Sequence, residues 1–249
     1  MKGKMKWLMC AALCALCSNQ SAYVNTVDMA IEGVNSTAVC AMNTENVVDL
    51  QTRAKSALLM DFSTNMVLYS YKPTERLPIA SMCKIMTLLL CFDAIEEGSL
   101  SLDESICVSE RAASMGGSQV FLETNGNYLV KDLIKSIVVA SANDACVAMA
   151  ELICGSENEF VEKMNKKAVA LGMDNTNFVN ATGLPKIGQY SCAKDVSIMF
   201  RELLSYKDYY AFSTIWMDKI AHPNDRFTEI SNTNKLIYIM SNASNTTVK

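Results

Sequence analysis

Hydrophobic positions divide the chain into short strand-like runs before residue 80 and longer helical runs after it. Two short apolar runs, 57–60 and 66–71, flank the polar triplet 63–65, and this arrangement predicts a β-hairpin. From 81 to about 97 the residues are apolar on almost every side, and Gly98 follows. Because a helix that is apolar all round is usually buried, we predict a buried central helix that ends at this glycine.

Later helical runs are interrupted by polar or small residues. A run over about 130–140 breaks at 141–144 and resumes over 145–154. Ser156 and Glu159 have the spacing of a capping box, so the next helix is predicted to begin there.

The last third of the chain predicts one more helix and then strands. The helix covers about 191–206, whereas residues 211–249 mix short apolar pieces with Asn, Ser and Thr, as edge strands and loops do. Helices embedded between strands indicate an α/β fold. Since neither an internal repeat nor a low-complexity linker interrupts the pattern, we predict one domain with a helical insertion.

The N-terminus has the pattern of an export signal. Three lysines among the first six residues precede an apolar run over 7–17 and a polar stretch to Ala22. The run is shorter than the roughly 20 apolar residues that a spanning helix needs. We therefore predict a signal peptide over 1–22, a polar segment over 23–51 and a folded domain over 52–249 in an exported protein.

Charge and cysteine content exclude two classes of protein. The net charge is −4 and no run of Lys or Arg follows the first six residues, so nucleic acid is not a predicted partner. Beyond the predicted signal peptide the cysteines are odd in number and form no C-x-x-C pair, so no disulfide framework is indicated. Most lie in apolar runs and are interpreted as small core residues: Cys40, Cys83, Cys91, Cys107, Cys146, Cys154 and Cys192.

The single histidine narrows the candidate chemistry. His222 stands in Ala-His-Pro, which we interpret as a solvated surface turn, and the H-E-x-x-H metal motif is absent. A serine hydrolase that does not use histidine needs another base, and a lysine can serve when burial lowers its pKa.

Ser81 and Lys84 supply such a pair. At a spacing of three on a helix, the two side chains share one face. A serine at a helix N-terminus also directs its own amide toward a developing oxyanion. The alternative interpretation is an ordinary helix cap followed by a solvated lysine.

A second polar break lies at Ser141-Ala142-Asn143. The Ser141 hydroxyl could relay a proton to a leaving amine, and the Asn143 amide could hold a substrate carbonyl. The alternative is a turn between two helices that Ser and Asn cap.

With both motifs in view, the chain resembles the serine D-alanyl-D-alanine carboxypeptidases among the low-molecular-mass penicillin-binding proteins. The similarity covers about residues 52–249, and the segments that carry it occur in the order of the family. There are six of them: 56–61, 76–87, 115–118, 141–145, 180–185 and 232–236.

The resemblance assigns a role to each candidate residue. It makes Ser81 the acylated nucleophile, Lys84 the base, Ser141 the hydroxyl of a proton relay and Asn143 a substrate contact. Lys249 becomes the lysine of the family's K-T-G motif, which binds the region of the substrate's terminal carboxylate. Since the chain stops there, before the Thr and Gly, we expect a catalytic domain that is incomplete at its C-terminus.

The same resemblance implies a β-lactamase/transpeptidase-like α/β fold. An antiparallel sheet would be flanked by helices, an all-helical subdomain would carry Ser141, and the closing C-terminal strands would be missing. Cys83 departs from the threonine that family members often have, and we interpret it as a tolerated small residue.

The implied reaction is two-step acyl transfer on peptidoglycan stem peptides, with release of D-alanine, and it requires no metal or organic cofactor. β-Lactams would be covalent inhibitors, and the protein would act at the extracytoplasmic face of the membrane, with peripheral attachment compatible with the resemblance. Two alternatives stay open. A class A β-lactamase shares the motifs, although no E-x-x-L-N element is evident; a truncated, non-catalytic remnant of the family would bind without turnover.

Overall fold

The computed structural model describes residue 50 and residues 52–239. The predicted signal peptide, nearly all of the predicted polar segment and Lys249 lie outside the described residues, so the predictions for them stay predictions. Among the described residues, no helix is both long and apolar enough to cross a bilayer.

The chain enters through the predicted hairpin, which is confirmed. Strand β1 (Ala57–Met60) pairs antiparallel with β2 (Val67–Tyr71). Asp61 holds the turn, because its Oδ1 accepts hydrogen bonds from the Thr64 amide at 2.7 Å and the Thr64 hydroxyl at 2.6 Å. Asn65 follows in the left-handed region, at φ 61°, where asparagine is tolerated.

The predicted central helix is also confirmed. It begins as a 3₁₀ turn over Ala80–Cys83 and continues as helix α1 (Lys84–Glu96). Gly98, at φ 73°, follows its end. Most of α1 is buried, and it packs against helices on several sides. This packing makes α1 the centre of the core, as the all-round apolar pattern requires.

The helical insertion follows the predicted breaks closely. One helix covers the predicted 130–140. The predicted capping box begins the helix over Glu157–Ala170, since the Ser156 Oγ accepts a hydrogen bond from the Glu159 amide at 3.2 Å. The elements of this region are β3 (Ser105–Cys107), α2 (Glu110–Ala113), β4 (Asn127–Leu129), α3 (Val130–Ala140), α4 (Asn143–Cys154) and α5 (Glu157–Ala170).

The last described part contains the predicted helix and two strands. Helix α6 (Ala193–Leu203) packs on α1 and on β1, and a short helix α7 (Tyr209–Ser213) packs on α3. Strand β5 (Met217–Ala221) then pairs antiparallel with β6 (Phe227–Ser231).

The strands of the described residues form three separate two-stranded antiparallel sheets, β1–β2, β3–β4 and β5–β6. Each is a pair of strands packed beside helices, so the described part combines antiparallel pairing with a helical core, in agreement with the predicted fold class. The first hairpin exposes Val67 and Leu68 at consecutive positions. Neighbouring residues of a strand point to opposite faces, so β2 exposes apolar groups on both faces.

The cysteines largely occupy the positions expected of small core residues. All six that are described are free, and four of them are buried. Cys154 is half-buried, whereas Cys107 on β3 is exposed. Cys40 lies outside the described residues.

Candidate active site

Ser81 lies in a strained turn at the start of the central helix. The preceding residue, Ala80, has φ 46°, a left-handed conformation that is uncommon for residues other than glycine. This conformation turns the chain sharply into the 3₁₀ turn, where Ser81 is exposed. The Ser81 amide is among the first amides of that turn, which have no acceptor within it.

Lys84 completes the predicted pair. Its side chain is only 4% exposed, and its Nζ lies 3.2 Å from the Ser81 Oγ and 2.7 Å from the main-chain carbonyl oxygen of Thr182. The interpretation of Lys84 as a solvated charge is therefore wrong. Burial lowers the pKa of Lys84 below its ordinary value, although the nearby Cys146 and Cys83 act in the opposite direction.

This geometry allows Lys84 to exchange a proton with Ser81 without losing its position. The ammonium form donates to both the Ser81 Oγ and the Thr182 carbonyl. The neutral amine can still donate to the carbonyl while its lone pair accepts the Ser81 proton. The main-chain acceptor thus keeps Nζ near the Ser81 hydroxyl in both protonation states.

The segment 180–184 provides that acceptor and is fastened to the central helix. The Cys83 Sγ donates to the Asn180 carbonyl at 3.3 Å, and the Thr87 Oγ1 donates to the Ala181 carbonyl at 2.7 Å. Together with the Thr182 carbonyl, three consecutive carbonyls therefore accept hydrogen bonds from side chains of one helical turn. Sequence analysis noted the segment as a family signature but missed its role, since a main-chain carbonyl leaves no trace in the residue type.

Gly183 allows the segment 180–184 to pass close to the turn that carries Ser81. It has φ 83°, and a Cβ placed there would penetrate the Ala80 carbonyl group and stand 3.0 Å from the Ser81 nitrogen. The Asn180 Oδ1 accepts the Gly183 amide at 2.8 Å. Only glycine combines this backbone angle with this close contact.

Cys83 stands beside the pair without the properties of a nucleophile. It is fully buried, and burial raises its pKa to about 12. A thiol at neutral pH is a poor nucleophile compared with a thiolate. This agrees with the interpretation of Cys83 as a tolerated small residue.

Ser141 occupies the junction between α3 and α4. It ends α3 in the left-handed conformation, at φ 55°, and Ala142 is the N-cap that precedes α4. The turn between helices, which was the alternative interpretation, is thus present. Non-glycine residues in this conformation are often found at functional positions. The proton relay itself stays a prediction.

Asn143 is buried, and both its side chain and its main chain bond to the segment 116–118. It is 3% exposed, its Nδ2 donates to the Gly116 carbonyl at 2.7 Å, and its amide donates to the Ser118 carbonyl at 2.7 Å. A Cβ on Gly117 would stand 2.8 Å from the Asn143 Nδ2 and 3.6 Å from the Leu184 Cδ2. Asn143 therefore lies beside the segment that holds Lys84.

Asp144 is a structural residue that sequence analysis missed. It is fully buried, and its carboxylate accepts hydrogen bonds from the amides of Val120, Leu122 and Ala145. Together with Asn143, it fastens the segment 116–122 to the start of α4. The sequence signal that could have indicated this role is an acidic residue in the first turn of a mostly apolar helix.

The interpretation of His222 as a solvated surface turn is wrong. His222 is 7% exposed, its Nδ1 lies 2.8 Å from the Tyr128 hydroxyl, and its Nε2 lies 2.8 Å from the Thr228 Oγ1. Burial, and secondarily Arg226, lower its pKa. The histidine joins β4 to the β5–β6 hairpin, while Lys84 is the titratable side chain that bonds to Ser81.

Of the predicted site residues, the structure brings together Ser81 and Lys84 and places Asn143 near the segment that binds Lys84. Within the described part of the chain, no group of three or more His, Cys, Asp or Glu side chains could hold a metal ion.

The fold and this Ser–Lys pair define a protein of the penicillin-binding, transpeptidase-like class. The family model of the D-alanyl-D-alanine carboxypeptidases, peptidase S11, matches residues 41–248. The chain therefore belongs to the peptidase S11 family.

Individual relatives agree with this assignment. The D-alanyl-D-alanine carboxypeptidase DacF of Bacillus subtilis is 49% identical over 189 residues, which are 76% of this chain and 49% of that protein. A D-alanyl-D-alanine endopeptidase of Escherichia coli is 34% identical and is matched over 74% of this chain and 58% of its own length. The chain thus spans about half the length of the curated relatives that it matches.

Solved structures share the fold. Penicillin binding protein 5 from Haemophilus influenzae superimposes with a TM-score of 0.72 at 30% identity, over 79% of this chain and 57% of that one. The D-alanyl-D-alanine carboxypeptidase DacD from Francisella tularensis gives a TM-score of 0.72 at 26% identity, over 78% and 58%.

Proposed function

We propose that this protein removes the C-terminal D-alanine from peptidoglycan stem peptides through an acyl-enzyme on Ser81. The observation that carries the proposal is the buried Lys84, whose Nζ lies 3.2 Å from the Ser81 Oγ. Membership of the S11 family and the names of its relatives support the substrate class.

In the first step the Ser81 oxygen attacks the carbonyl of the penultimate D-alanine while Lys84 takes the hydroxyl proton. The Ser81 amide donates to the oxyanion, as amides at a helix N-terminus do. The C–N bond then breaks, and a proton passes to the leaving amine of D-alanine, in our proposal through the Ser141 hydroxyl. In the second step a water molecule attacks the ester carbonyl and gives a proton to Lys84. The bond to the Ser81 oxygen then breaks, Lys84 returns the proton to that oxygen, and the shortened peptide leaves.

Two further residues act on the substrate in this proposal. The Asn143 side-chain amide contacts the peptide carbonyl, and Lys249, outside the described residues, binds the region of the terminal carboxylate. No cofactor takes part. Because stem peptides lie outside the cytoplasmic membrane, we further propose that residues 1–22 direct export and that the protein associates peripherally with the membrane.

Intact-mass spectrometry after incubation with benzylpenicillin tests the proposal. We expect a long-lived adduct of one penicillin on the wild-type protein, because the drug acylates the same serine that the substrate does. Ser81→Ala should remove the adduct, whereas Ser101→Ala, which changes an exposed serine in a loop, should keep it. Release of D-alanine from a stem pentapeptide by the wild type then measures turnover.

Two other outcomes would contradict the proposal. Rapid clearance of the adduct with steady hydrolysis of penicillin would indicate a β-lactamase. The absence of any adduct on a protein with a cooperative thermal transition would indicate a non-catalytic member of the family.

Ser141→Gly is expected to slow acylation about 100-fold, which is the lower range for loss of a proton-transfer group. Glycine removes the hydroxyl but accepts the φ of 55° without strain, so the helix junction is retained. Rates of adduct formation by mass spectrometry measure the effect. Asn125→Gly is the matched control, since Asn125 is exposed and has φ 59°. Equal rates in both variants would remove Ser141 from the mechanism.

A further inference from the structure

A carboxylate at the start of α5 contacts the segment that binds Lys84. Glu157 is the first residue of α5, and its side chain is 17% exposed. One of its oxygens, Oε1, accepts the Ala181 amide at 3.2 Å, and the other, Oε2, pairs with the Arg111 guanidinium at 3.0 Å. Glu157 thus connects α5 to Arg111 of α2 and to the segment 180–184.

The Ala181 amide lies one residue before the carbonyl that receives Lys84. The Ala181 carbonyl is held from the other side by Thr87 at 2.7 Å, and the next carbonyl, that of Thr182, accepts the Lys84 Nζ at 2.7 Å. Ala181 is therefore fixed between the central helix and α5. Loss of the bond from Glu157 would free the α5 side of this arrangement and leave a buried amide unpaired, which is unfavourable.

The two bonds of Glu157 differ in how much they contribute to the position of the segment 180–184. Arg111 is 59% exposed in its side chain, and an exposed ion pair is weak because water screens it and the side chains lose freedom. Ala181, in contrast, is fully buried. The bond to the Ala181 amide is therefore the one that matters for the position of the segment.

We propose that Glu157 is a positioning residue, which acts through Ala181 to keep the Thr182 carbonyl at hydrogen-bond distance from Lys84. It has no hydrogen bond to Ser81 or Lys84 among the described contacts, so its effect on the reaction is indirect. Its charge is not required, because any acceptor at the position of Oε1 satisfies the amide. This inference rests on the proposed acyl transfer at Ser81.

Three variants separate the hydrogen bond from the ion pair. Glu157→Met removes both, Arg111→Gln removes only the ion pair, and Glu157→Gln keeps an amide oxygen that can accept from Ala181. We expect Glu157→Met to slow acylation by benzylpenicillin about tenfold, the factor that corresponds to the loss of one hydrogen bond. Glu157→Gln should restore most of the rate, and Arg111→Gln should stay within about twofold of the wild type.

A second readout does not depend on acylation. Hydrogen exchange of the amides in 180–184, followed by mass spectrometry, should be about tenfold faster in Glu157→Met and close to wild type in the other two variants. Ser156→Ala is the matched control for weakened helix stability, because it removes the cap of α5 and leaves Ala181 untouched.

The outcomes decide between the explanations. If Ser156→Ala slows acylation and speeds local exchange as much as Glu157→Met, or if Glu157→Gln is as slow as Glu157→Met, the positioning role is wrong. If the wild type forms no penicillin adduct, the proposed function fails. The exchange rates of the variants then still determine whether Glu157 holds the segment.

Discussion

Lys84→Met is expected to slow acylation of Ser81 by benzylpenicillin about 1000-fold. Methionine has a similar unbranched length, so it fills the buried space of the lysine stem, but it cannot take the Ser81 proton. General-base catalysis contributes about 100- to 10,000-fold in enzymes, and Lys84 is the group within 3.2 Å of the Ser81 Oγ that can supply it. Adduct formation by intact-mass spectrometry gives the rate.

The pH dependence of acylation tests whether Lys84 is the titrating group. Burial disfavours the ammonium form and lowers the pKa of Lys84, so the neutral base is populated at lower pH than in a solvated lysine. The acylation rate of the wild type should therefore rise with pH and reach half its maximum below about 10.4, the ordinary lysine value. The residual rate of Lys84→Met should lack this rise.

Lys166→Met provides the control for this prediction, because Lys166 is exposed on α5. It should leave both the rate and its pH profile unchanged. A rise with the same midpoint in Lys84→Met would assign the titration to another group and would contradict the role of Lys84 as base.

Gly183→Ala is expected to abolish detectable acylation and to destabilise the fold by about 3 kcal/mol, in the range of severe strain and overpacking. The added methyl group would penetrate the Ala80 carbonyl, and the residue would keep an unfavourable φ of 83°. Since both contacting partners are main chain, neither can move aside alone. The turn that carries Ser81 and the segment that holds Lys84 would have to separate.

Gly172→Ala separates the two causes. Gly172 also has positive φ, at 72°, but a Cβ there would have no neighbour within 4 Å. It should lose only the conformational share, about 1 kcal/mol, with unchanged acylation. Urea unfolding and the rate of adduct formation measure both effects. Equal stability losses in the two variants would mean that the contact with Ala80 is relieved at no cost.

The hydrophobic pattern predicted the structure well for features that lie within a single helix. The run over 130–140 became α3 with the predicted bounds, and the spacing of Ser81 and Lys84 placed both on one helical turn. These features depend on residues three or four positions apart, whose relation a helix determines directly.

The features that sequence analysis missed depend on distant residues. His222 is buried because Tyr128, 94 positions away, supplies its partner. The acceptor of Lys84 is a main-chain carbonyl 98 positions away, and every residue type carries such a group. The arrangement of the strands in three separate pairs likewise follows from long-range pairing that alternation along the chain does not encode.

The use of a carbonyl as the partner of Lys84 also affects what substitutions in this region can reveal. Because every amino acid supplies the same oxygen, a substitution at position 182 removes the buried Thr182 hydroxyl, which accepts the Leu184 amide at 3.3 Å, but keeps the acceptor of Lys84. A scan of single substitutions at position 182 would then report on the fit of this buried side chain and not on the oxygen that contacts Lys84, whereas at Gly183 it would report on the close approach to Ala80. An alignment would therefore reveal the neighbour, not the group that contacts the lysine.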